Sequence, residues 1–234
     1  MAKLQIGFLI YPDAVQLDVM GAYQVFAFPP DTEVHLVGKT LSPIISNEGL
    51  TLVPTTTLSD CPPVDVICVP GGGIGQVEVM RDQEILNFLQ QQSQTARYVT
   101  SVCTGSLILA AAGLLQGYKA TCHWAFRDQL AMLGVEVVAQ RVVIDRDRVT
   151  GAGVTSGIDF GLTLLKLLCG EEVAQMTQLM LEYCPEPPFN AGTPETADTE
   201  VAQKLLQFGK PLLNAFLVQT RDTASRLNLG NTQV

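Results

Sequence analysis

Arg97-Tyr98-Val99-Thr100-Ser101-Val102-Cys103-Thr104-Gly105-Ser106, followed at once by Leu107-Ile108-Leu109-Ala110-Ala111-Ala112, is the stretch on which the fold turns. A β-favouring run ends on a cysteine and an alanine-rich helical run follows, which together describe a sharp turn from strand into helix. Ser101 and Gly105 lie two places either side of Cys103, where such a turn presses backbone against backbone and bulk would obstruct it. The elbow presents the sulfur at the amino end of the helix. Unpaired N–H groups and the helix dipole there favour thiolate over thiol. The plain alternative is a cysteine at an ordinary strand end, packed as a small apolar side chain. Turn, flanks and helix all agree on the elbow, whereas a merely buried thiol requires none of them.

Outward from the elbow the chain alternates between strand and helix patterns. Leu4 to Ile10, Glu33 to Val37, Asp65 to Val69 and Tyr98 to Val102 are short runs rich in Val and Ile, several apolar on consecutive positions as parallel strands covered on both faces are. Gln16 to Phe28, Asp82 to Gln92 and Ser106 to Leu115 are predicted helices. The pattern predicts an α/β fold, a doubly wound and mostly parallel sheet with helices on both faces, in one domain spanning residues 1–234. Ile44-Ile45 and Leu50 to Val53 flank a turn-forming Ser46-Asn47-Glu48-Gly49 and predict a hairpin added to the sheet. Val135 to Ala139, Arg141 to Ile144 and Arg148 to Thr150 predict three more strands, and a long helix is expected from near Val154 to Cys169. The proline-rich segment 182–193 reads as a fixed irregular loop, and Glu195 to Arg221 as helix.

Composition narrows the partners. The net charge is −9, and none of the 14 Lys and Arg form a run, so the basic footprint that nucleic acid requires is missing. No charged-then-apolar leader opens the chain, and its apolar stretches are too short to span a bilayer. The expectation is a soluble cytoplasmic protein that binds a small molecule. Six cysteines occur without a C-x-x-C pair or zinc-site spacing, so they are expected to be reduced, with neither metal nor cofactor.

Four further positions are candidates for the chemistry. Val69-Pro70-Gly71-Gly72-Gly73 follows the third main strand, but fits neither a dinucleotide fingerprint nor a phosphate loop. It would instead let backbone N–H groups point into the crevice at the carboxyl edge of the sheet, where Cys103 also lies. The N–H groups of Gly72 and Thr104 are therefore candidate donors to charge that develops during attack by sulfur. Asp18 stands in the first turn of the first helix. It either offsets the helix dipole or points its carboxyl towards Cys103, and the residues alone leave both readings open. Asp13, Asp159 and His35 read as structural. His123, in Thr121-Cys122-His123-Trp124, could face the site, yet a cap or packed residue is the commoner role.

Val-Pro-Gly-Gly-Gly at 69–73, Ser-Val-Cys-Thr-Gly-Ser at 101–106, Ala-Thr-Cys-His-Trp at 120–124 and Thr-Gly-Ala-Gly-Val-Thr-Ser-Gly-Ile-Asp at 150–159 together resemble the PfpI-like superfamily of class I glutamine amidotransferase-like folds. The resemblance covers nearly the whole chain. Within the superfamily, the Cys103-Thr104 pair, Asp18 and Leu-Glu-Tyr-x-Pro-x-Pro-Pro-Phe-x-Ala-Gly at 181–192 are most similar to the isonitrile hydratases. Sensor domains of certain transcription regulators share much of the pattern but continue into a helix-turn-helix region, for which 234 residues leave no room. Thr104 stands where proteases of the superfamily carry histidine, and no histidine follows His123 to serve an amidotransferase. The resemblance thus implies Cys103 as nucleophile and Asp18 as proton carrier in hydration of isonitriles to formamides, in a homodimer paired near the first helix. Other readings are a non-catalytic cysteine redox sensor, or a glyoxalase- or deglycase-like enzyme acting on reactive carbonyls.

Overall fold

The computed structural model describes residues 3–229. In chain order the strands are β1 (Leu4–Leu9), β2 (Thr32–Gly38), β3 (Ile44–Ile45), β4 (Thr51–Leu52), β5 (Thr56–Thr57), β6 (Val66–Val69), β7 (Tyr98–Val102), β8 (Lys119–Ala120), β9 (Glu136–Val137), β10 (Val142–Asp145) and β11 (Arg148–Gly151). The helices are α1 (Gln16–Ala27), α2 (Gly75–Val79), α3 (Gln83–Ser93), α4 (Gly105–Ala111), α5 (Arg127–Ala131), α6 (Ser156–Cys169), α7 (Glu171–Met180) and α8 (Thr199–Arg226). Seven strands form the main sheet in the order β10-β11-β7-β6-β1-β2-β5, parallel except for the antiparallel β10–β11 pair.

Alternation along β1 divides the core in two. Ile6, Phe8 and Ile10 face a cluster with Val25 and Phe26 of α1 and Phe160 and Leu164 of α6. Leu9 and Tyr11 face the opposite cluster with Leu86 and Leu89 of α3, Leu107 of α4 and Phe216 of α8. All four residues of β6 are buried, as helices on both faces demand, and the expected doubly wound sheet is what forms. Because β1, β6 and β7 run parallel, their carboxyl ends bring residues 10–15, the glycine loop and Cys103 to one edge.

Several local expectations fail for tertiary reasons. The β3–β4 hairpin forms a separate two-stranded sheet, and the edge of the main sheet is the short β5. Residues 135–139 contribute only β9, which pairs with β8 outside the main sheet. No expectation covers α7, which begins directly after Gly170 (φ +92°) ends α6. The last helix begins later than expected, at Thr199. There Asp198 caps it by accepting from the N–H groups of Glu200 (2.8 Å) and Val201 (3.3 Å). The homodimer expected to pair near the first helix finds much of the apolar surface of α1 already used inside the chain, while Leu17 stays exposed. Gly21 lies close to Ile158, and Gly161 close to Val25, so α1 and α6 pack against each other and bury Val19, Val25 and Phe26. No helix among the described residues is long and apolar enough to cross a membrane.

Candidate active site

Cys103 turns the chain from β7 into α4 with φ +59°, the left-handed conformation of a strained elbow. A Cβ at Gly105 would collide with the carbonyl oxygen of Val69, so glycine is required by backbone approach, as the sequence suggests. Ser101 does more than stay small. Its hydroxyl bonds Ser106 Oγ (2.8 Å), which donates to the Thr121 carbonyl (2.6 Å) and ties the elbow to the segment carrying His123.

The loop after β1 is stitched to the glycine loop. Val15 N–H donates to Gly71 O (2.8 Å), Gly73 N–H to Asp13 O (2.9 Å) and Gly75 N–H to Asp13 Oδ2 (2.8 Å). Asp13, at φ +69°, is the turn residue it was expected to be. The stitching carries α1 to the elbow and places Asp18 beside Cys103. Asp18 is only 1% exposed and its Oδ2 accepts from Gly71 N–H (2.8 Å), while Oδ1 has no hydrogen-bond partner among the described residues. An acid that merely offsets a helix dipole has no need of such burial. Burial raises the Asp18 pKa to about 7, against the opposing pull of the Gly71 N–H and the neighbouring Cys103 thiol.

The sulfur is buried too, 5% exposed. Burial first, then the charge of Asp18, pushes the thiol well above its ordinary value, and the Thr104 N–H offsets only part of this. The thiolate expected from the helix dipole is therefore overruled in the resting site: desolvation outweighs a dipole from a helix of seven residues. Sulfur and carboxyl face each other as a buried pair that resists carrying two charges.

A polar clamp fixes Thr104. Gln76 Nε2 donates to Thr104 O (2.7 Å), Thr104 Oγ1 donates to Gln76 Oε1 (2.6 Å), and Tyr11 OH donates to Pro70 O (2.9 Å) beside them. Gln76 and Tyr11 escape sequence reasoning, because neither belongs to a motif and only the crossing of three loops brings them to Thr104. The N–H of Gly72 donates to Thr104 Oγ1 at 3.3 Å, a long bond, while that of Gly71 holds Asp18.

Above the sulfur lies a cavity of about 250 Å³ lined by Cys103, Thr104, Gly72, Trp124 and Val154, with α8 as its far wall. Asp18 is not among the residues that line it. His123 is on the wall, but its Nδ1 accepts from Ala125 N–H (3.3 Å) to cap the turn at Trp124–Phe126, and its ring stacks on Trp124. Burial and the nearby Arg127 lower its pKa, which keeps the ring neutral. His35 and Asp159, read from the sequence as structural, are held in bonds of their own. His35 Nε2 pairs with Gln5 Oε1 (2.7 Å), and Asp159 accepts from Arg141 Nε and Tyr183 OH (both 2.8 Å).

Comparison with known proteins gives the family and the fold. The chain is 52% identical to an isonitrile hydratase of Pseudomonas putida over 97% of its own length and 99% of that protein. The HTH-type transcriptional regulator GbdR of Pseudomonas aeruginosa is 35% identical over 59% of this chain but only 38% of the regulator. Among solved structures, a THiJ/PfpI family protein from Pseudomonas syringae superposes with TM-score 0.91 at 42% identity, covering 94% of this chain and 91% of that one. Drosophila melanogaster DJ-1beta, at TM-score 0.73 and 21% identity over 79% of this chain and all of that one, shares the fold. The DJ-1/PfpI family profile matches residues 5–167, and the chain belongs to the DJ-1/PfpI family.

Proposed function

We infer that the chain adds water to the terminal carbon of isonitriles, R–N≡C, and releases N-substituted formamides. The observation that carries this reading is its end-to-end similarity to the Pseudomonas putida isonitrile hydratase. The site contains what such a reaction needs and little else. Cys103 Sγ bonds the terminal carbon as that carbon takes up the one proton that sulfur and the Asp18 carboxyl hold between them, giving a thioimidate, R–N=CH–S–Cys103. Asp18, now carboxylate, accepts a proton from water as the water oxygen bonds the same carbon, and that proton passes to nitrogen. Collapse then breaks the C–S bond, returns the hydroxyl proton to the sulfur–carboxyl pair and frees R–NH–CHO. The N–H of Thr104 supports charge on sulfur, and Gly72 N–H, held only by its long bond, is available to the adduct.

A redox sensor is less well served by this site, since a thiol kept protonated by burial is slow to oxidise. The test is to incubate the purified protein with cyclohexyl isonitrile and follow N-cyclohexylformamide by NMR. Formamide formed faster than in buffer is expected, and its absence would overturn the reading. We further propose a homodimer in the cytoplasm. Ile45, Leu50 and Val53 are exposed on and beside the hairpin and Leu17 on α1, and the hairpin is tied to the loop before α1 by the bonds Asp13 N–H to Ile45 O and Asn47 N–H to Ala14 O. Light scattering that gives the mass of a single chain would remove the dimer.

A further inference from the structure

Helix α8 carries, near its middle, two residues that helices disfavour, Gly209 and Pro211. Leu205 and Leu206 stand four and three places before Gly209, and Leu212 and Leu213 three and four places after it. The five therefore share one helix face with the glycine at its centre. All five line the cavity above Cys103.

Other glycines of the site are glycines because the backbone leaves no choice. A Cβ at Gly105 would strike Val69 O, and one at Gly71 would lie 2.5 Å from Thr104 Oγ1. Gly209 has no such reason. A Cβ added there meets no atom within 4 Å, and its φ is not in the left-handed region. The protein's own packing leaves room for a Cβ, and alanine or leucine has the higher helix propensity. What a side chain would consume is space in front of the nucleophile.

We propose that Gly209 is a specificity-determining position: its missing side chain is the recess that admits a bulky, uncharged alkyl or aryl R group onto Cys103. The occupant is apolar because Trp124, Phe126, Val154 and the α8 leucines surround the recess. The proposal rests on the hydratase reading, and its test separates the two.

Gly209→Ala and Gly209→Leu are compared with wild type on methyl and cyclohexyl isonitrile. For Gly209→Leu, kcat/KM on the cyclohexyl substrate should fall roughly 10- to 200-fold, mainly through KM, while methyl isonitrile stays within about threefold. Gly209→Ala should shift the same ratio by at least about threefold, and it decides the matter if the leucine variant does not fold. Both variants should melt no lower than wild type. An unchanged cyclohexyl-to-methyl ratio overturns the proposal, and so does a lowered melting temperature in Gly209→Ala, which would mean that the protein itself needs the glycine. If wild type hydrates neither isonitrile, the reading of the reaction has failed. The recess is then judged by mass-spectrometric mapping of Cys103 alkylation at alkaline pH with N-methylmaleimide and N-cyclohexylmaleimide. Gly209→Leu should slow only the larger reagent, and equal rates or equal slowing would overturn the recess.

Discussion

The two walls of the Cys103 cavity are built on opposite principles. On the sheet side, Cys103 and Thr104, with Gln76, Tyr11 and Asp18 behind them, are all nearly inaccessible, and hydrogen bonds of 2.6–2.9 Å between loops that follow three parallel strands tie Thr104 to Gln76, Tyr11 to Pro70 and Asp18 to Gly71. On the α8 side the lining side chains are apolar and partly exposed, with a glycine at their centre, and among the described residues the one bond donated to that lining from another segment is to backbone, from Gln129 Nε2 to Leu213 O (3.1 Å). Proton transfer demands fixed distances, which only over-determined polar contacts hold. Shape selection by an apolar surface tolerates repacking. The difference predicts that substitutions on the sheet side act on turnover, and those on α8 act on substrate choice.

The strongest challenge to this contrast is the nucleophile. Cys103→Ser should leave the fold intact and reduce formamide production to background, because a hydroxyl is a far weaker acid than a thiol, the Asp18 carboxylate is too weak a base to ionise it, and no histidine is free to do so: His123 is committed to its cap. Turnover by the serine variant comparable to wild type would remove sulfur from the chemistry. Next comes Asp18→Asn, expected to cost roughly 10²–10⁴-fold in turnover, the range of lost acid–base catalysis. In wild type, kcat/KM should rise with pH through about 7 as Asp18 ionises and the pair reaches its singly protonated state, and that limb should vanish in the variant.

Asp18 also tests the sheet side without turnover. Its folded pKa of about 7 lies above the ordinary carboxyl value of 3.8, so its contribution to stability is full below about pH 4 and is lost as pH rises to about 7. Asp18→Asn should therefore gain on wild type in denaturant melts at pH 8 relative to pH 5, by on the order of a few kcal/mol. An equal difference at the two pH values would mean that the carboxyl is not desolvated. A smaller effect is expected at the clamp. Gln76→Leu leaves Thr104 O and Oγ1 without their partner and should destabilise by about 1–3 kcal/mol, with a loss in kcat rather than a change in isonitrile preference. A changed preference would blur the division between the walls. Smallest of all is His123→Gln, expected to keep turnover within about threefold, since the neutral ring serves as cap and wall; loss of activity in the initial-rate assay would make it part of the chemistry.

The elbow and the sheet were legible because both rest on local regularities. A β run into a helix, small residues beside Cys103 and glycines after β6 each report a backbone conformation that neighbours in sequence impose. The hairpin was legible as a hairpin but not in its placement, since pairing of β3 with β4 is local while joining the main sheet is not. Gln76 was invisible for the same reason: a glutamine in a short helix carries no signal until Thr104 arrives from β7.

By itself, the sequence determined a parallel sheet, a cysteine at a strained turn, and a glycine at 105 where the backbone must pass. Only the tertiary structure decided that Asp18 faces that cysteine rather than solvent, that the sulfur rests as a thiol, and that a helix about a hundred residues downstream closes the cavity. The physical reason is that conformational preference acts between neighbours in the chain. Desolvation and side-chain pairing depend instead on which distant segments are packed together, and it is these that set the charge on a buried group.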